Sequence, residues 1–475
     1  MSPKSLARVG VVWILRDMKT FRSYQPDQLL LLPPSIEEWL PEGHLARFVR
    51  DVATTLDLSA IEATYTEERG YPPYHPRLMV TLLLYAYSTG TYSSRRMAAK
   101  LIDDVAYRYL AAGNTPDFRT LSDFRKTHGT ALNGLFVQVL KLCAQAGLVK
   151  LGRVAVDGTK VKANASKHKA MSYARMSERE AALKQQVTEL LARAQAVDDA
   201  EDAEHGRDRR GDELPEDLQR AAGRLAKIQA AKAALEAEAR EQAVSDAEVA
   251  KARQAERERK EQENGRRFGG RPFKVPDPEQ AKPSPKAQRN FTDPESRIQR
   301  TADGFIQGYT AVLAVDDEAQ VIVSQHVTPS SPEVHELLPA VEAIEQALGQ
   351  RPKQVVADAG YWSQENIERL EAQSIDGYIA RGRVKHNEPP PPSPRGRIPA
   401  KLTSVERMQR KLKTKAGRAV YARRKAIVEP VNGQIKQARG FRQFLRRGVE
   451  RVAQEWSLVC TAHNLLKLRA SWKTA

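Results

Sequence analysis

RVAVDGTKVKANAS, residues 153–166, is a valine-rich run interrupted by an acid, Asp157. It reads as a strand, and a carboxylate inside an apolar strand costs several kcal/mol unless a cation neutralises it. Asp157 is therefore either the acidic end of a strand or a group that holds a metal ion.

At 475 residues the chain has room for two or three domains with real cores. Its formal net charge of +17 favours an anionic partner. The excess is local: residues 401–475 carry 19 Lys and Arg against four acids, Glu406, Glu429, Glu450 and Glu455, whereas residues 171–300 carry 26 of each sign. The C-terminal stretch is either a polyanion-binding surface or a solvated basic helix face. Two cysteines, Cys143 and Cys460, lie far apart without a Cys-x-x-Cys pair. That argues for a reducing compartment and against a disulfide framework or structural zinc. VGVVWIL, residues 9–15, is too short to span a bilayer, and the structured pattern starts only near Met18. The protein reads as soluble and cytoplasmic, with no membrane partner.

Residues 18–148 read as a helical domain, with Arg95 and Arg96 on an exposed face and Asp117 or Thr120 as a helix cap. A helix-turn-helix-like DNA-binding module and a plain bundle fit the pattern equally. Residues 169–292 form a charged insertion. Within it, Leu183, Val187, Leu190 and Leu191 would pair antiparallel with Leu218, Leu225, Ile228 and Leu235 across the acidic stretch DDAEDAEHGRD. Residues 149–168 and 293–475 make up the remaining domain. Its β signal is GFIQGYTAVLAVDDEAQVIVSQHVTP, two strands around a DDEAQ turn. A helix, the buried strand KQVVAD, a second helix and the strand DGYIAR follow. The proline-rich linker NEPPPPSPRGRIP then leads to long basic helices.

Three acids stand in odd settings: Asp157 and Asp358 end the apolar runs VAVD and VVAD, and Glu429 lies in the cationic YARRKAIVEPVNGQIKQ. Taken singly, each has an ordinary reading as a turn, a cap or a salt bridge. Taken together, two strand carboxylates and one helix carboxylate can hold two hard cations such as Mg²⁺ about 4 Å apart, an arrangement suited to phosphodiester displacement. Pro430 disfavours helical geometry at Glu429 and removes one backbone bond, so Glu429 is expected at a kink or in a first turn.

The order of VAVDGTKVKANAS, DPESRI…GFIQGYTAVLAVD, ADAGYWSQENI and RRKAIVEPVNGQIKQARGFRQFLRRG resembles the DDE insertion-sequence transposases. The closest branch has an InsH-type N-terminal helical domain. The resemblance implies an α/β, RNase H-like catalytic domain, a mixed sheet flanked by helices, with Asp157, Asp358 and Glu429 as acidic triad. It implies two Mg²⁺ or Mn²⁺ ions, and double-stranded DNA partners: the terminal inverted repeats of the element and the target. It also implies at least a dimer on DNA. The family's Y-x2-R-x3-E-x6-K signature maps onto Tyr421, Glu429 and Lys436. Four residues separate Arg424 from Glu429, so the basic position falls to Arg424 or Lys425. By the resemblance, Tyr421, that basic residue and Lys436 grip the element end. Downstream, Arg439, Arg442, Arg446 and Arg447 suit phosphate contacts, while Phe441 and Phe444 are expected to pack inside. Two rival readings share the motifs: a nuclease without strand transfer, and an inactive, transposase-derived DNA-binding protein.

Overall fold

The acid-bearing run folds as β1 (Arg153–Lys162), the central strand of a mixed sheet. The computed structural model describes residues 35–66, 72–205, 216–267, 269–270, 274–301, 304–329, 332–382, 392–396, 399 and 401–472. The apolar run before Met18 and most of the proline-rich linker lie outside them. After β1 come β2 (Ala170–Ser172), β3 (Gln288–Asn290), β4 (Arg297–Thr301), β5 (Gly304–Asp316), β6 (Ile322–Thr328), β7 (Gln354–Ala357) and β8 (Asp376–Ile379).

The sheet order is β6–β5–β1–β7–β8, with β4 joined to the start of β5. β1 runs antiparallel to β5 and parallel to β7. β8 extends the parallel side. This is the RNase H-like sheet, and helices Leu337–Leu348 and Lys415–Gly433 pack against its strands. The DDEAQ turn closes the β5–β6 hairpin as its sequence predicts.

The N-terminal region is helical, and Asp117 does cap its helix Phe118–Thr127, accepting from the Thr120 N–H at 2.7 Å. Its helix Pro76–Ser88 is buried along most of its length. One continuous apolar core runs from there through the sheet to the last helix, Val449–Trp472.

The charged insertion is two long helices, Tyr173–His205 and Glu216–Glu263, rising from the β2–β3 ribbon. They run antiparallel, since Tyr173 bonds Glu236 and Glu180 bonds Lys232. Their shared core is Met176, Leu183, Ile228, Ala231 and Leu235. Two expectations need correction. Leu191 is exposed rather than paired, and the acidic stretch stays helical as far as His205. Alternating charge is compatible with a solvated helix, so acidity alone did not mark a turn.

Of the two positions expected for Glu429, the first turn is not the one it takes. It lies well inside the 19-residue helix Lys415–Gly433, which continues through Pro430. The Ala426 carbonyl four residues earlier, which cannot receive a bond from Pro430, accepts instead from Gln320 Nε2 at 3.1 Å. The helix then passes into a π turn, Gln434–Ala438.

Gln320 ties three elements together. Its Oε1 accepts from Lys467 at 3.0 Å, and its carbonyl lies 3.0 Å from Nε2 of His463, both on the last helix. His463 is fully buried, with Arg439 Nη2 at 3.3 Å from its Nδ1. Burial and the Arg439 charge press its pKa down to about 3, so the ring folds neutral. The unfolded chain binds a proton here near pH 6.5 and the folded chain does not, so stability is lost as pH falls below 6.5. Urea unfolding of the metal-free protein should show about 2 kcal/mol less stability at pH 5 than at pH 6.5 from this group. His463→Gln should flatten that slope.

Candidate active site

Val156 of β1 faces Ala357 of β7 in parallel register. The next residues, Asp157 and Asp358, therefore emerge side by side where β7 ends, on strands about 4.8 Å apart. Asp358 caps the turn Ala359–Tyr361, accepting from the Gly360 N–H at 2.7 Å. Asp157 stays within the sheet, opposite Leu313 of β5.

A side chain supplies the cation that Asp157 requires. Arg424 Nη1 donates to Asp157 Oδ2 at 3.1 Å, with only 12% and 17% of the two side chains exposed. Gly158 N–H donates to Oδ1 at 3.0 Å. Burial pushes the Asp157 carboxyl up to about 6; Arg424 opposes the shift, while the charges of Asp358 and Glu333 add to it. Of the two candidates for the basic position, Arg424 contacts Asp157 and Lys425 is exposed.

Tyr421 lies beside Arg424, and burial raises its hydroxyl's pKa. Lys436 donates to Thr159 Oγ1 at 2.5 Å and to the Lys160 carbonyl at 2.6 Å, fixing the π turn to β1. Burial lowers the Lys436 pKa to about 8.

Glu429 is not gathered with the two aspartates. It is exposed and makes no hydrogen bond or ion pair among the described residues. The geometry explains this. Five residues after Arg424, Glu429 is turned about 140° around the helix, and buried Val428 takes the place below the arginine. The extra residue that breaks the family spacing is what turns the acid away.

The basic residues after the π turn divide into two groups. Arg442 and Arg447 are exposed, with Nε donating to the Lys436 and Asn164 carbonyls at 3.3 and 2.9 Å. Arg439 and Arg446 turn inward. Arg439 reaches His463, and Arg446 donates to Gln454 Oε1 at 3.1 Å. Phe441 and Phe444 are buried, as expected.

Sequence reasoning missed Glu333, in the segment before helix Leu337–Leu348. Its Oε1 accepts from Lys160 Nζ at 2.7 Å. A Cβ on Gly158 would lie 2.6 Å from its carboxylate carbon. A glycine inside a strand often marks such a close approach, and Gly158 was the available signal.

As donors, Asp157, Asp358 and Glu333 offer the hard oxygens that Mg²⁺ prefers. The hydroxyl of Tyr361, three residues after Asp358, is fully buried and has no hydrogen-bond partner among the described residues. Among the described residues, no three acidic, histidine or cysteine side chains are drawn together as a finished cage. The donor types fit a divalent ion, and the Arg424 guanidinium holds the cationic place at Asp157.

Residues 34–127 match the family model described as a transposase domain (DUF772), and residues 270–465 match the transposase DDE domain. No curated protein and no solved structure matches the chain. A DDE domain on an RNase H-like sheet, preceded by a transposase helical domain, defines the class of nucleic-acid-rearranging proteins. The chain belongs to the DDE-type insertion-sequence transposases. Asp358 and Glu429 fall inside the DDE match, and Asp157 lies between the two matches. No helix among the described residues is long and apolar enough to cross a membrane.

Removing Arg424 tests the electrostatics directly. Arg424→Ala leaves a buried carboxylate beside other acids and should cost about 3 kcal/mol at pH 8 in metal-free protein. Much of that loss should vanish at pH 5, where Asp157 takes up a proton in the folded state. Urea unfolding at the two pH values is the measurement.

Proposed function

We propose that this transposase cuts DNA at the ends of its element and joins the freed 3′-hydroxyl to target DNA. The side-by-side placement of Asp157 and Asp358 on adjacent parallel strands is the observation that supports this most.

In cutting, a water oxygen bonds to the scissile phosphorus and gives up its proton; the P–O3′ bond breaks, and the departing oxygen is protonated. In joining, the freed 3′-hydroxyl oxygen loses its proton as it bonds to a target phosphorus, and the target's 3′-oxygen leaves. Bound Mg²⁺ or Mn²⁺ supplies activation of the attacking oxygen and charge neutralisation at the phosphate. Asp157 and Asp358 would hold these ions in this reading, and Glu429 would join them as third ligand only with a turn of its helix. Arg424, freed from Asp157, would turn to the phosphate with Tyr421 and Lys436. Lys425, Arg442 and Arg447 supply exposed charge for the duplex. Arg439 and Arg446 stand outside this surface because their partners are internal. Joining two ends requires two copies on the DNA.

The test is strand cleavage of an element-end duplex with Mg²⁺ or Mn²⁺, together with joining of pre-cut ends. Asp157→Asn and Asp358→Asn should each lower both steps by more than about 100-fold, beyond the loss typical of groups outside the ligand set, with DNA affinity kept. Cleavage without joining would indicate a nuclease. Binding with no reaction by the wild type would indicate a DNA-binding protein.

A further inference from the structure

Glu333 reaches the site from the segment between β6 and helix Leu337–Leu348, an element that carries none of the expected acids. Its side chain is only 13% exposed, and its two oxygens have different surroundings. Oε1 accepts from Lys160 Nζ, which also donates to Thr310 Oγ1 at 2.8 Å. Oε2 makes no hydrogen bond among the described residues. It lies 3.7 Å from where a Cβ on Gly360 would stand, and Asp358 Oδ1 lies 3.0 Å from that same point. Gly158 makes the room, since any Cβ there would collide with the Glu333 carboxylate that the glycine admits against β1.

A second observation is independent of the acids themselves. The Tyr361 hydroxyl is fully buried and lacks a hydrogen-bond partner among the described residues, a costly condition for a phenol. After burial, the influences that bear most on it are the charges of Glu333, Asp157 and Asp358, in that order. A hydrated cation held by these carboxylates would bring such a hydroxyl a water to bond.

We propose that Glu333 is a further ligand-bearing carboxylate of the site, its free Oε2 joining Asp157 and Asp358 around a divalent cation. This rests on the reading that the aspartate pair binds metal. Lys160 then has a defined part: it holds Oε1 and leaves Oε2 turned to the aspartates. The ordinary alternative is that Glu333 serves only as counter-ion to Lys160.

Mn²⁺ binding, read as loss of the free-ion paramagnetic resonance signal, separates these. The full chain is used in an Arg424→Gln background, which removes the internal cation from Asp157. Adding Asp157→Asn or Glu333→Gln should each weaken Mn²⁺ binding about tenfold or more. Glu333→Asp keeps the charge for Lys160 but withdraws the oxygens, so it should weaken binding with the melting temperature unchanged. Loss with Asp157→Asn but wild-type affinity in both Glu333 variants overturns the proposal and leaves the metal reading standing. Unchanged affinity with Asp157→Asn, or no Mn²⁺ binding in the Arg424→Gln background, overturns both.

Discussion

A carboxylate stays charged inside a sheet only if a cation is delivered to it, and in this fold Arg424 delivers one to Asp157. The pair joins the central strand to a helix 267 residues further along the chain. Once that contact is set, the helix has little freedom. Its buried side, Ile427, Val428 and Val431, must face the sheet, and Lys436 must arrive over Thr159. A buried ion pair adds little net stability against an apolar substitute, but breaking one partner is expensive. Its value here is registration, and it places a displaceable cation where the proposed chemistry needs a metal.

The last helix, Val449–Trp472, carries the rest of the assembly on buried polar groups. Asn464 bonds both the N–H and the carbonyl of Ile322, at 2.9 and 2.8 Å, in the manner of an added strand residue. Glu455, fully buried, accepts from the N–H groups of Leu445 and Arg446 at 3.0 and 3.1 Å. Asp293 and Glu295 accept from Gly448 and Val449. Three carboxylates thus hold the backbone of a basic loop, which fixes Arg447 in place and offsets local charge. On the N-terminal side, buried Arg125 donates to Tyr87 and the Tyr92 carbonyl, and Tyr92 donates to the Arg439 carbonyl. These contacts bind the helical region to the sheet, and they give the Arg439 and Arg446 side chains internal partners.

The strands were legible because each is an apolar run bounded by turn chemistry. The DDEAQ hairpin and the short VVAD strand fold as their patterns indicate. The partnership of Asp157 and Asp358 was legible as motif, and the parallel register supplies its geometry. What stayed hidden depends on contacts that no local pattern encodes. Gln320 rescues the carbonyl that Pro430 leaves bare, so a proline expected to break the helix lies inside it. Glu429 follows its helix, and one additional residue after Arg424 turns it outward. Glu333 lies in PEVHE, which shows no periodic or motif signal; only the space left by Gly158 reveals it.

The most direct measurement is diffraction at the manganese edge from crystals of the protein bound to a DNA duplex and soaked in Mn²⁺. The account predicts anomalous peaks in contact with both Asp157 and Asp358, and Arg424 moved from Asp157 to a phosphate. Manganese bound elsewhere, with the Arg424–Asp157 pair still closed over DNA, would contradict it.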